Sequence, residues 1–218
     1  MIIRNKKAII AIPIYLGYIC IIMLLISASQ SVTGVTVLEQ ALTDKAYGYL
    51  VVPPFLCGIL LISESMKKTC LTRMKSRKQA LLFIQIQQYA FATIYLIAWF
   101  VIIVLFCVST SEQISVSKIF GNYIRYLLSL FIFTNLAELF NRVNIKALRN
   151  IPFIAAYVVL IIDVLAITAI TGKQSNIVYL IFSWIFFRNV FVGTMMLGVI
   201  FISTLILIYR VNQRADYL

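Results

Sequence analysis

The sequence predicts an all-α, polytopic membrane protein. It has six transmembrane helices, both termini in the cytoplasm, and a short re-entrant or interfacial helix before the last span. Three observations lead there. First, the 218 residues are 62% hydrophobic and only 12% charged, with a mean hydropathy of +1.00. A water-soluble domain is about half apolar and about a quarter charged, so this chain cannot cover its surface with polar groups and must be solvated by lipid. Second, the apolar residues fall into stretches near the roughly 20 residues that a helix needs to cross the hydrocarbon. Third, the basic residues gather in alternate connections.

The spans follow in order within a single transmembrane domain, 1–218. The first covers 8–26, behind Arg4, Lys6 and Lys7. A signal-peptide reading competes there, because the apolar run ends in Ser27-Ala28-Ser29, and cleavage after it would leave five spans. The second covers 47–63 and contains Pro53-Pro54, which kinks a helix or frees carbonyls. The third, 80–108, is long enough to tilt or protrude. Its inner part carries Gln85, Gln87, Gln88 and Tyr89, the residue types that bond one membrane helix to another. The fourth covers 119–140, the fifth 151–171 and the sixth 189–209. Residues 177–187 (IVYLIFSWIFF) are apolar but too short to cross, hence the re-entrant or interfacial helix.

Loop charge sets the orientation. Of the 19 basic residues, 14 lie before span one, between two and three, between four and five, and after six. The other five are Lys45, Lys118, Arg125, Lys173 and Arg188. Basic loops stay in the cytoplasm, so both termini are inside. The net charge of +12 therefore reports membrane orientation, and no nucleic-acid partner is implied. Tyr47, Tyr49, Tyr123 and Tyr126 fall at the outer interface, where aromatic belts form.

Chemistry is mostly excluded. The chain has no His, which removes Ser-His-Asp and Cys-His nucleophiles and His-ligated metals. Cys20, Cys57, Cys70 and Cys107 form no C-x-x-C pair, so neither a disulfide framework nor a zinc site is indicated. Gly172-Lys173 lacks the rest of a P-loop, and seven scattered acids do not make a paired-carboxylate site. An enzyme is not expected, and no cofactor in this chain.

Asp163 is the unusual residue, about twelve positions into span five between Ile162 and Val164. A carboxylate there costs several kcal/mol unless it is paired, protonated or hydrated. Arg125 of the antiparallel fourth span reaches similar depth if the two spans adjoin. Two readings stand: a structural Arg125–Asp163 clamp, or an Asp163 that lines a substrate or proton path. Glu138 and Arg142, four apart, suit a local ion pair at the membrane edge. The loop 64–79 carries six basic residues interleaved with Met66, Leu71 and Met74. It is either a positive-inside loop on anionic lipid or an amphipathic docking helix.

The six-span layout, a Glu at the end of span two (Glu64), the Arg73-x-x-Ser76-Arg77-Lys78 pattern, the long third span and the short apolar insert before span six together resemble the permease subunits of ABC-2 type ABC transporters. The resemblance covers almost the whole chain and rests on layout. It implies that the 64–79 loop is a coupling helix docking on a cytoplasmic ABC ATPase subunit, which would hold ATP and Mg. It assigns Glu64, Arg73 and Arg77 to coupling and residues 177–187 to an outer hairpin. It further implies a homodimer, or a heterodimer with a sister permease, in a cell membrane of bacterial plasma-membrane type. The small size is similar to peptide or bacteriocin export and immunity permeases, for which a hydrophobic or amphipathic peptide is the expected cargo. Only seven residues precede span one, shorter than that family's amphipathic N-terminal helix. The alternative is a non-transporting six-span immunity factor or assembly scaffold.

Overall fold

The computed structural model describes residues 17–21, 23–24, 36–42, 47–59, 77–113, 115–142 and 190–214. Three long helices dominate: α1 (Arg77–Ser109), α2 (Val116–Arg142) and α3 (Val190–Arg214). Each holds a stretch long and apolar enough to cross a membrane, Leu81–Ser109, Val116–Phe140 and Phe191–Val211. These coincide with the expected third, fourth and sixth spans. No strand occurs among the described residues. Of the expected first span, residues 17–21 and 23–24 are described and helical, and of the second, 47–59. The fifth span and the 177–187 segment lie outside the described residues.

The side chains of α1 sort into two faces. Leu82, Ile86, Ile94, Ile97, Val101, Leu105 and Val108 are exposed, whereas Ile84, Gln88, Ala92, Leu96, Trp99, Ile103 and Cys107 are buried. The buried set repeats every three or four residues, and the exposed set keeps the same period with one position skipped between Ile86 and Ile94, so each forms one stripe. A helix at a water boundary puts polar residues on its outer stripe. Here the outer stripe is wholly aliphatic and the buried one includes a glutamine, the arrangement suited to lipid.

α1 ends in a turn that reverses the chain. Ser111 takes the left-handed conformation, φ 56°. The Ser111 N–H bonds to the Val108 carbonyl (3.2 Å), and the Glu112 N–H reaches back to that of Cys107 (2.9 Å). This pair of bonds satisfies the last carbonyls of α1 in a Schellman motif. α2 then returns antiparallel: Phe100 meets Tyr123 and Tyr126 (ring centroids 5.5 and 5.9 Å), and Tyr89 meets Phe131 (4.6 Å). α3 runs parallel to α2, since Phe131 faces Phe201 (5.7 Å) and, one turn further along both helices, Asn135 bonds Thr204.

Residues 47–59 lie along α1 and opposite to it in direction. Tyr95 OH donates to the Val51 carbonyl at 2.7 Å, and Phe55 packs on Tyr95 and Phe91. The expected disturbance at Pro53-Pro54 takes a definite form: a π-helical turn, Tyr47–Val51, precedes an α-helical stretch to 59. Prolines lack the N–H and clash with carbonyls one turn back, which widens the turn before them. Gly58 allows the two helices to approach closely, because a Cβ there would sit 2.7 Å from Phe91 Cζ.

A short helix, Val37–Ala41, is fastened to the α1–α2 turn. Its free N–H groups are satisfied by Thr36 Oγ1, which accepts from Glu39 N, and by Glu112 Oε2, which accepts from Leu38 N, both at 3.2 Å. Burial is uneven among the long helices. Half of the α2 span and 44% of the α1 span are buried, but only 17% of the α3 span.

Candidate functional site: a polar layer across three helices

The candidate site is built from amides and hydroxyls that apolar helices have no other means of satisfying. Gln85 and Tyr89 lie one turn apart on α1, and Gln85 Nε2 donates to Tyr89 OH at 2.9 Å. Tyr89 OH in turn donates to Asn135 Oδ1 on α2, which also accepts from Gln85 Nε2 at 3.3 Å. Asn135 Nδ2 donates to Thr204 Oγ1 on α3 at 2.9 Å. Thr204 closes the chain by donating to the Phe201 carbonyl at 2.8 Å. Because the Thr204 proton is already used, only the Asn135 nitrogen can face it, and that fixes the orientation of the amide. Phe131, Tyr89 and Phe201 pack around the layer, with centroids between 4.6 and 6.1 Å.

A second pairing lies beside the first. Glu138 is 2% exposed and Gln88 fully buried, and Gln88 Nε2 donates to Glu138 Oε2 at 3.5 Å. The amide oxygen of Gln88 has no hydrogen-bond partner among the described residues. Glu138, two residues before the end of the apolar stretch at Phe140, is thus packed against α1 as well as lying one turn before Arg142. The side chain of Arg142 is outside what is described.

Towards the opposite end, Tyr47 of the π-helical turn is buried against α2. Its hydroxyl lies 2.6 Å from Ser129 Oγ and 3.5 Å from the Tyr126 carbonyl, and its ring is 4.2 Å from that of Tyr126. Tyr47 and Tyr126 are fully buried, so these two do not belong to a lipid-facing aromatic belt. Helix packing uses them instead, because a buried phenol ring contributes a large apolar area, and in Tyr47 the hydroxyl is also bonded. Arg125, next along α2, is only 5% exposed.

The expected site residues divide accordingly. Arg125 is inside the bundle as its depth implied. Arg77 begins α1. Asp163, Glu64 and Arg73 lie outside the described residues, so neither the Arg125–Asp163 clamp nor the coupling set is brought together here. Gln85, Gln88 and Tyr89 bond between helices as anticipated. Asn135, Ser129 and Thr204 were not singled out from the sequence. An Asn in the apolar run LFIFTNLAELF, one turn before a Glu, is the signal that marks Asn135.

Chemically the layer is a continuous hydrogen-bond chain that runs across the three helices. It fixes the axial register of α1, α2 and α3. No group of three metal-ligating side chains occurs among the described residues. No family model, curated protein or solved structure matches the chain.

Proposed function

We propose that this chain is the membrane-spanning permease subunit of an ATP-driven exporter of the ABC-2 type, moving a hydrophobic or amphipathic substrate such as a peptide. The observation that carries the reading is the arrangement of helices around the 64–79 loop. Residues 47–59 and α1 flank that loop and run antiparallel in direct contact, through Val51–Tyr95 and Gly58–Phe91. A push on the loop therefore reaches both helices that it joins. The π-helical turn ahead of Pro53-Pro54 is the weak point at which the first of them can bend. In this proposal Glu64, Arg73 and Arg77 contact a cytoplasmic ABC ATPase, which binds ATP and Mg. Two permease chains, identical or paired with a sister, surround the path. Closure of the ATPases biases the membrane assembly between two states.

Charge placement supports an N-in, C-in topology. Arg77, Lys78, Arg142, Arg210 and Arg214 fall at one end of α1–α3. The other end carries Lys118 with Glu39 and Glu112. The parallel relation of α2 and α3 is the one required of fourth and sixth spans separated by a single crossing. Affinity purification of the full chain from its own membrane tests the function. A P-loop ATPase at near-equal stoichiometry is expected, and it should be lost on the double charge reversal R73E/R77E. A chain that purifies without any ATPase, and keeps its cellular activity after that reversal, is an immunity factor or scaffold instead.

A further inference from the structure

We propose that the ends of α1, α2 and α3 at Arg77, Lys78, Arg142, Arg210 and Arg214 form one binding surface for the headgroups of anionic phospholipids. The polar layer brings them level. Gln85, Asn135 and Thr204 are bonded together, so distances along each helix can be counted from a common plane. At roughly 1.5 Å per residue, Arg77 and Lys78 begin about 10–12 Å from it, Arg142 about 10 Å, and Arg210 and Arg214 about 9–15 Å. Antiparallel α1 and parallel α3 put all five on the same side. Among the described residues the acid on that side is Glu138, one turn before Arg142, and its carboxylate is buried against Gln88.

Depth selects the occupant. The membrane-crossing stretches end at Leu81, Phe140 and Val211, and Arg210 lies just within the last of these. The other four basic positions follow two to four residues beyond the apolar ends, or about 3–6 Å. The headgroup layer is roughly 5–7 Å thick on each side of the hydrocarbon. The backbone thus places these basic positions at the level of the lipid headgroups. A surface for an acidic soluble protein has to project clear of that layer. Tyr209, exposed beside the exposed Arg210, suits the same interfacial depth. Clusters of basic residues at this depth attract anionic lipid. The inference needs only the membrane-embedded architecture and holds with or without an ATPase partner.

The test uses the full chain reconstituted in phosphatidylcholine bilayers with spin-labelled phosphatidylglycerol or phosphatidylcholine as probe. Electron spin resonance measures the lipid immobilised by the protein. At low salt the expected preference for phosphatidylglycerol is about fivefold, the effect of roughly one well-placed basic residue per bound lipid. Molar salt should abolish most of it. The variant R77Q/K78Q/R142Q/R210Q/R214Q should lower the preference at least about threefold. Lys118→Gln at the other end should leave it unchanged. Neutralising Lys67, Lys68 and Lys75, which precede α1, should reduce it less than the five-residue variant does. If that variant does not reconstitute, R210Q/R214Q together with the salt series on the unaltered chain decides. Equal immobilisation of the two lipids overturns the proposal, as does a preference that survives molar salt. So does a chain that binds soluble polyglutamate through these residues while showing no lipid preference.

Discussion

At the scale of single residues, Asn135 joins α1 to α3 through α2. Its amide accepts from Gln85 and Tyr89 and donates to Thr204, and the rings of Tyr89, Phe131 and Phe201 pack together beside it. Hydrogen bonds between membrane helices contribute modestly, about 0.6 kcal/mol on average and up to about 1.7 kcal/mol. Asn135→Leu removes three of them and strands the groups on both sides, so a loss of about 2 kcal/mol is expected. Tyr89→Phe, which removes one bond between helices and one within α1, should cost about 1 kcal/mol. Ser203→Ala is the control: that hydroxyl is exposed and bonds only its own helix at the Val199 carbonyl, so the change should stay within about 0.5 kcal/mol. Unfolding of the reconstituted chain in a denaturing-detergent titration measures all three. A loss for Asn135→Leu no greater than for Ser203→Ala would show that the layer does not bind the helices together.

At the scale of the element, the α1–α2 hairpin depends on how α1 stops. Ser111 adopts φ 56°, a conformation that costs an L-residue about 1–2 kcal/mol and glycine nothing comparable. Ser111→Gly relieves that strain but gives the unfolded chain more freedom, so a net gain of about 0.5–1 kcal/mol is expected. Ser111→Val should lose at least about 1 kcal/mol, since a β-branched side chain tolerates positive φ poorly. The same titration reads both, and a stabilising valine would contradict the assigned turn. This turn also shows what the sequence could carry. The spans 80–108, 119–140 and 189–209 were legible because lipid demands an unbroken apolar run, a signal carried by composition alone. The end of α1 was legible only within a residue or two, since a Ser in the left-handed region carries no glycine to mark it. Tyr47 and Tyr126 were assigned to the interface because tyrosine suits either a headgroup layer or a buried pair. Only the hydroxyl of Ser129, 82 positions from Tyr47, decides between the two. The spacing of Glu138 and Arg142 is visible along one helix, but the bond from Gln88 to Glu138 joins two helices. Periodicity along one span says nothing about such pairings.

At the scale of the whole molecule, orientation governs every functional reading. Three antiparallel or parallel relations are set by contacts: residues 47–59 against α1, α1 against α2, and α2 with α3. They fix which helix ends lie on the same side but not which side faces the cytoplasm. The imbalance of charge supplies that: five basic residues at one end of α1–α3, against Lys118 with Glu39 and Glu112 at the other. Basic loops resist translocation, so the former end should be inside. A cysteine-free background, with Cys20, Cys57, Cys70 and Cys107 replaced by serine, allows a direct check with a membrane-impermeant maleimide added to intact cells. Gln113→Cys, in the exposed α1–α2 turn, should be labelled. Gln213→Cys, near the end of α3, should react only after the membrane is opened. Asn144→Cys and Gln174→Cys, on the two sides of the expected fifth span, should behave as inside and outside positions respectively. Labelling of Gln213→Cys in intact cells would invert the topology and with it the place of the 64–79 loop. No cytoplasmic ATPase could then reach Glu64, Arg73 and Arg77, and the exporter proposal would fall while the polar layer and the helix contacts stood unchanged.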